Sequence, residues 1–342
     1  MPFLYILLSI VLLCLFLVWV YPRRRSKHDE HEKDRTSDVH TDATDVHDPY
    51  DVPDTEEPTE EPNPMEENKP MEESPTLTDD VPKAHVTKEI PRSIWTYWDS
   101  DTIPPLIEKC VSQWKKNCPD YTITILSPLN LSTYLDTDIM ALPMSTTPQR
   151  TSDFVRLHVL AEHGGIWADA SLLLTSSLDW IHEFHTDMVV YSIDHIHTPV
   201  TTYPVLENWF IACVPHCDFV NQWKTEFMRI NEFESPDLYL KDVEQHGTNV
   251  SSIFCTPYLS MHVAAQVVLQ RKAYDTTMTV LDAREGPYKH LRFNSTPLSF
   301  EQGIPNLCRD TIERVIKFRG IDREFMNSHP ELCTCIETRF FV

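Results

Sequence analysis

Residues Thr151 to Ser171 read TSDFVRLHVLAEHGGIWADAS: a helical run that halts at two consecutive glycines and restarts as a strand. No other stretch restricts the fold so tightly. Thr151 or Ser152 is placed to N-cap the helix. Asp153 and Arg156 stand three apart and share one helix face near its start. Phe154, Val155, Leu157 and Leu160 supply the apolar surface around them. Gly164 suits the left-handed position that ends a helix. From Gly165 a strand runs onward with a period of two, so Trp167, Asp169 and Ser171 share one face while Ile166, Ala168 and Ala170 share the other. A carboxylate and a hydroxyl within an apolar strand need partners, since an unpaired buried charge is very costly. On charge pattern alone these residues are equally a structural ion pair, Arg156 with Asp153 or with Asp169.

The flanks extend the same alternation. Strands are expected at Ser93 to Trp98, Tyr121 to Leu126, Gly165 to Leu174, Met188 to Ile193 and Val205 to Val214. Helices are expected at Pro104 to Asn117, Thr151 to His163, Asp218 to Phe233 and Pro257 to Lys272. Strand, helix, strand in succession is the α/β pattern, with a mostly parallel sheet and ligands at the C-terminal strand ends.

Several chemistries lack their signatures. The chain has six glycines, none before Gly164, and contains no Gly-rich dinucleotide or phosphate loop and no nucleophile elbow. C-x-x-C and H-E-x-x-H zinc patterns are absent too. A net charge of -23 argues against nucleic acid as a partner, because phosphate binding needs basic surface.

Three regions follow from composition: 1–27, 28–89 and 90–342. Phe3 to Tyr21 is uncharged and apolar, and its 19 residues nearly span a hydrocarbon core of about 30 Å. With no cleavage pattern after it, it reads as an uncleaved transmembrane anchor. Residues 28–89 hold eight prolines, no glycine and dense Asp and Glu, the composition of a disordered acidic stalk. Orientation is contested. Arg23, Arg24, Arg25 and Lys27 follow the anchor and point to a cytosolic domain. Sequons at Asn130, Asn249 and Asn294, and eight cysteines outside the anchor, favour an oxidising lumen, Golgi or other endomembrane. Cys333 and Cys335 read as a disulfide partner set for Cys308, whereas Cys110 and Cys118 lie too far apart along one helix to pair. His195 and His197 read as a polar loop, and His163 as a last-turn residue facing the helix dipole.

The S-D-x-x-R block, the G-G-I-W turn and D-A-S together resemble glycosyltransferase family 32 and the capsular polysaccharide synthesis proteins. Two weaker matches flank it: the start Ile90-Pro-Arg-Ser-Ile-Trp-Thr-Tyr-Trp, and the strand Glu207-Asn-Trp-Phe-Ile-Ala. The resemblance implies a GT-A-like single domain that moves a sugar, with retention, from a nucleotide-diphosphate sugar to a glycan or glycoconjugate. It implies Mn²⁺ or Mg²⁺ held by Asp169 and Ser171, which fits the need of a departing diphosphate for neutralisation. Asp153 would take hydrogen bonds from donor-sugar hydroxyls, and Arg156 would pair with that carboxylate or the diphosphate. Trp95 would stack on the base, with Trp98 beside it. Ser171 departs from the pattern, where a second carboxylate is usual. That keeps a rival in view: a membrane-tethered protein that binds a carbohydrate or sugar nucleotide without turning it over.

Overall fold

The computed structural model describes residues 89–193, 203–253, 256–291, 300–310, 312–331 and 333–341. All lie in one unit, Val46–Val342. The expected anchor, the stalk up to Lys88 and the His195 and His197 pair lie outside the described residues. Among the described residues, no helix is long and apolar enough to cross a membrane.

The strands β1 (Ser93–Tyr97), β2 (Thr122–Leu126) and β3 (Gly165–Ala168) are parallel, with β1 in the middle. The helix α1 (Pro105–Asn117) makes the β1-to-β2 crossover and buries Ile107, Cys110, Val111 and Trp114. A short α2 (Leu131–Tyr134) follows β2. The helix α3 (Pro148–His163) then leads into β3 and is buried almost all round. It begins three residues earlier than Thr151. Thr147 is the cap, accepting from the Arg150 amide, and Pro148 sits in the first turn, where its missing N–H costs nothing. Asp153 therefore lies in the second turn of α3 rather than the first.

The expected strand from Gly165 to Leu174 is broken. After β3 the chain turns, with the Leu172 amide donating to the Asp169 carbonyl at 2.9 Å. It resumes as β4 (Leu172–Leu174), which belongs to a separate two-stranded sheet. Asp169 thus lies just past a strand end rather than in mid-strand. The sheet continues with β5 (Met188–Ser192) and β6 (Leu206–Cys213), which run antiparallel to each other, and β6 is antiparallel to β3. The helices α4 (Asp218–Met228), α5 (Pro236–Gln245) and α6 (Ser260–Arg271) precede β7 (Met278–Asp282), parallel to β5. The order is β2-β1-β3-β6-β5-β7, mostly parallel.

The C-terminal part holds α7 (Phe300–Asp310), β8 (Val315–Lys317), α8 (Gly320–Ser328) and α9 (Thr334–Phe340). β8 pairs antiparallel with β4, with Lys317 opposite Leu172. A second apolar cluster, including Leu173, Ile304, Leu307, Ile316, Phe318, Ile336 and Cys110 of α1, backs this small sheet. Cys308 is disulfide-bonded to Cys335, as expected, and Cys333 is a buried free thiol.

Gly164 and Gly165 adopt φ of +61° and +90°. Gly164 has ψ of -154°, outside the left-handed helical well and in a region almost confined to glycine. A Cβ on Gly164 would come within 2.5 Å of the Pro215 nitrogen, and one on Gly165 within 2.7 Å of the Ser93 carbonyl oxygen. The pair lets α3 turn directly into β3 while β1 and the end of β6 press against it.

Candidate active site

The parallel strands β1 and β3 end on the same sheet edge, since Trp95 is in register with Trp167. Asp169 follows β3 at that edge. The helix α3 runs beside it, so Asp153 and Arg156 face the same point. Arg156 donates from Nη1 to Asp153 Oδ1 at 2.6 Å and from Nη2 to Asp169 Oδ1 at 3.0 Å. Both ion pairs that the sequence left as alternatives are formed, by one guanidinium. The Arg156 guanidinium carbon stands 4.8 Å from the centre of the Trp167 ring, a cation–π contact. Trp167 Nε1 donates to Asp169 Oδ1 at 2.9 Å.

Three more residues join the site that sequence reasoning missed. Asn208 on β6 donates to Asp153 Oδ1 at 3.1 Å. Met261 on α6 brings its sulfur 3.3 Å from Arg156 Nη1. Lys317, the last residue of β8, donates from Nζ to Asp169 Oδ2 at 2.7 Å and to Ser171 Oγ at 3.2 Å. Asn208 was detectable as a polar residue inside an apolar strand, the same signal that singled out Asp169, whereas Lys317 ends its short strand and carries no such local mark.

The site therefore holds two carboxylates and two cations. The Arg156 side chain is 4% exposed, while that of Asp169 keeps 25% of its surface, so Asp169 is the member that solvent or a ligand reaches. Burial alone would raise the Asp169 pKa. The charges of Lys317 and Arg156, with hydrogen bonds from Lys317 and Trp167, outweigh it and hold the carboxyl well below its usual range. Arg156 Nε is buried with no hydrogen-bond partner.

The aromatic residues divide. Trp95 is buried, donating from Nε1 to the Gly164 carbonyl at 2.9 Å, with Tyr134 edge-on at 5.4 Å and the His163 ring at 5.6 Å. It locks β1 to the glycine turn and has no open face for a base. Trp98 lies one residue past β1, half-buried, with its indole N–H on the Thr102 carbonyl. His163 bonds the Tyr134 carbonyl at 2.8 Å, so it links α3 to α2.

A divalent cation needs oxygen ligands at about 2.0–2.6 Å. The two side chains expected to supply them, Asp169 and Ser171, both bond Lys317 Nζ, which lies between their oxygens. A cation bridging those oxygens would claim the region of the ammonium. Among the described residues, no three His, Cys, Asp or Glu side chains come together as a metal-binding group. The donor set of Asp169 and Ser171 does not fit a divalent ion while Lys317 stands there.

The capsular polysaccharide synthesis protein model matches residues 68–235, which contain α3, the glycine turn, Asp169 and Asn208. Over those residues, just under half of its length, the chain is similar to this family. The probable glycosyltransferase FCK3 of Fusarium pseudograminearum is 28% identical over 163 residues, 42% of this chain and 40% of that protein. Glycosyltransferase afumC of Aspergillus fumigatus is 31% identical over 28% of each chain. O-glycosyltransferase braB of Annulohypoxylon truncatum is 24% identical over 41% of this chain and 37% of that one. The chain thus spans well under half the length of each of these relatives. A galactosyltransferase, LgtC, solved with donor and acceptor sugar analogs, is 8% identical over 71% of this chain and 95% of its own, with a TM-score of 0.36. The family match begins inside the acidic segment 28–89 and ends before Lys317.

Proposed function

We propose that this chain is a member of that glycosyltransferase family and transfers a sugar from a nucleotide-diphosphate sugar to a hydroxyl of a glycan or glycoconjugate, with retained configuration. The observation that carries the reading is the single guanidinium of Arg156 joining Asp153 to Asp169 at the C-terminal edge of β1 and β3, where α/β folds bind ligands. In the transfer, the bond from the anomeric carbon to the diphosphate oxygen breaks and its electron pair leaves with the diphosphate. The acceptor oxygen bonds the anomeric carbon, and its proton passes to the released diphosphate.

Each side chain has work in that scheme. Asp153, fixed by Arg156 and Asn208, keeps acceptor capacity for donor-sugar hydroxyls. Arg156 and Asp169 orient each other and line the floor of the site. Trp98 is the aromatic residue at the sheet edge that suits the base, in place of Trp95.

The test is a screen of sugar nucleotides for release of nucleoside diphosphate by the full chain, run in parallel with Mn²⁺ and with EDTA. Turnover of one donor that is lost in Asp153→Ala supports the reading. Binding without turnover of any donor would favour the rival, to which Ser171, standing where a second carboxylate is usual, lends weight. The N-terminal apolar run supports membrane anchoring through residues 1–27, and the Cys308 to Cys335 disulfide supports a lumenal catalytic domain.

A further inference from the structure

We propose that Lys317 takes the place of the divalent cation, so that the donor diphosphate is bound by Lys317 and Arg156 without metal. The inference rests on the sugar-nucleotide reading above and concerns how that same site holds its ligand.

The position of Lys317 is built into the fold. Its amide donates to the Pro287 carbonyl at 3.2 Å, and the next amide, Phe318, donates to the Ser171 carbonyl at 3.2 Å. β8 is thereby sewn onto the turn that carries Asp169 and Ser171. The second apolar cluster backs the strand through Ile316 and Phe318, both at most 1% exposed. Lys317 itself is 8% exposed, too buried to swing freely into solvent. An ammonium has three N–H donors. Two go to Asp169 and Ser171, and the third remains for a ligand oxygen.

The chemistry of Ser171 points the same way. A serine hydroxyl is a weak ligand for Mg²⁺ or Mn²⁺, which prefer carboxylate oxygen. It is a good acceptor for an ammonium. A second carboxylate beside Asp169 would supply the charge that a dication needs, whereas one carboxylate and one hydroxyl suit a monocation. With Asp169 partly exposed and both cations bonded to it, a diphosphate entering from that side meets Lys317 and Arg156 together. Asp153 and Asp169 balance those two charges, so the cluster as a whole is neutral before an anion joins it. Charge-assisted hydrogen bonds to phosphate are the strong class, and a buried pair of donors holds the leaving group as its charge grows.

The experiment is calorimetric titration of the full-length chain with uridine, guanosine, cytidine and thymidine diphosphates, in EDTA and in Mn²⁺, together with Mn²⁺ alone. One nucleotide is expected to bind with affinities that agree within about twofold in the two buffers, and Mn²⁺ alone to give no heat. Lys317→Gln is expected to weaken that nucleotide about tenfold or more in EDTA, the scale of one charged hydrogen bond. Added Mn²⁺ should restore part of the loss, since the vacated space then admits a cation. Lys317→Arg, which keeps the charge, should stay within severalfold of the parent. Binding by the unaltered chain that needs Mn²⁺ overturns the proposal and leaves the sugar-nucleotide reading standing. No nucleotide binding in either buffer overturns both. Unchanged affinity in Lys317→Gln overturns the role of Lys317. The EDTA comparison on the unaltered chain decides the matter even where a variant fails to fold.

Discussion

Lys317 Nζ lies 2.7 Å from Asp169 Oδ2, although the two residues are 148 positions apart in the chain. Their meeting depends on the pairing of β8 with β4 and on the turn that separates β4 from β3. Asp169→Asn removes the negative charge between Lys317 and Arg156 and leaves both facing an amide. Because Asp169 is partly exposed, solvent offsets some of the loss, and the cost is expected at about 1–3 kcal/mol. For a domain of this size, each kcal/mol shifts Tm by about 2–4 °C. Donor turnover in this variant should fall to background while near-ultraviolet circular dichroism stays native. Retained turnover would remove Asp169 from the site.

The same carboxyl sets a pH dependence. A carboxyl held below its ordinary pKa contributes stability above its unfolded pKa, near 3.9, and loses it as pH falls through the folded value. The Asp169 pKa is depressed because Lys317 and Arg156 outweigh the desolvation that opposes them. The Tm gap between the unaltered chain and Asp169→Asn should therefore be constant from about pH 8 to pH 5 and narrow only below about pH 4. A gap that closes near neutrality would mean that the carboxylate lacks these partners in solution.

Asp153→Ala and Arg156→Ala are each expected to abolish most turnover, and the double variant to be scarcely worse than the poorer single one. Arg156 bonds both carboxylates, so removing Asp153 leaves the guanidinium held by Asp169 alone, and removing Arg156 takes from both acids the cation they share. Residues that act as a unit are non-additive. Two singles near normal turnover, with lowered Tm only, would make the cluster structural. Asn208→Ala, which removes the 3.1 Å bond to Asp153 and a 3.7 Å contact with the Met261 sulfur but no charge, should give a milder loss, seen more in KM than in kcat.

The helix, glycine pair and strand around these residues were legible because local rules govern them: spacing of three along a helix, period two along a strand, and glycine where φ is positive. The start of α3 was less legible: Thr151 has the chemistry of a cap, but Thr147 followed by Pro148 carries the better signal. The break after Asp169 was not legible. Leu172, Leu173 and Leu174 continue an apolar pattern, and only their partner β8, far along the chain, reveals a separate sheet. The resemblance implies a base platform at Trp95, on the first strand. Its indole N–H on the Gly164 carbonyl instead makes it part of the core that supports the turn. Lys317 depends on that same distant pairing, which no local period records.

Gly165→Ala should be among the most damaging single changes outside the charged cluster. Its φ of +90° is strained for alanine, and the added methyl would lie 2.7 Å from the Ser93 carbonyl oxygen, a backbone atom that cannot move without disturbing β1. Loss of soluble protein, or a Tm drop well beyond that of Asp169→Asn, is the expected result. Gly247→Ala serves as the control, since φ is +86° there but nothing lies within 4 Å of the added carbon. A Gly165 variant no worse than the Gly247 variant would show that β1 and β3 do not approach as closely as described.

The N-terminal limit of the catalytic unit can be set by truncation, and β1 says where it should fall. Ile90 is buried in the main core at 4% exposure. The Arg92 carbonyl accepts from the Thr122 amide at 2.9 Å. Ser93 pairs with Thr122, and Ile94 with both Ile123 and Ile166. A chain beginning at Lys88 keeps all of these contacts and should fold, unfold cooperatively and turn over donor at the full-length rate. A chain beginning at Trp95 loses two of the five residues of β1 and the buried side chains of Ile90 and Ile94. Removing two large aliphatic side chains from a core costs about 2–5 kcal/mol each, comparable with the whole stability of a domain. That shorter chain should be insoluble or unfolded. The family match begins earlier, at residue 68, so a third chain starting there separates two cases. If it folds and the Lys88 chain does not, part of the acidic segment belongs to the catalytic unit. If both behave alike, the segment before Lys88 acts only between the domain and whatever holds its N-terminus, and its removal should slow transfer to a membrane-bound acceptor while leaving small acceptors unaffected.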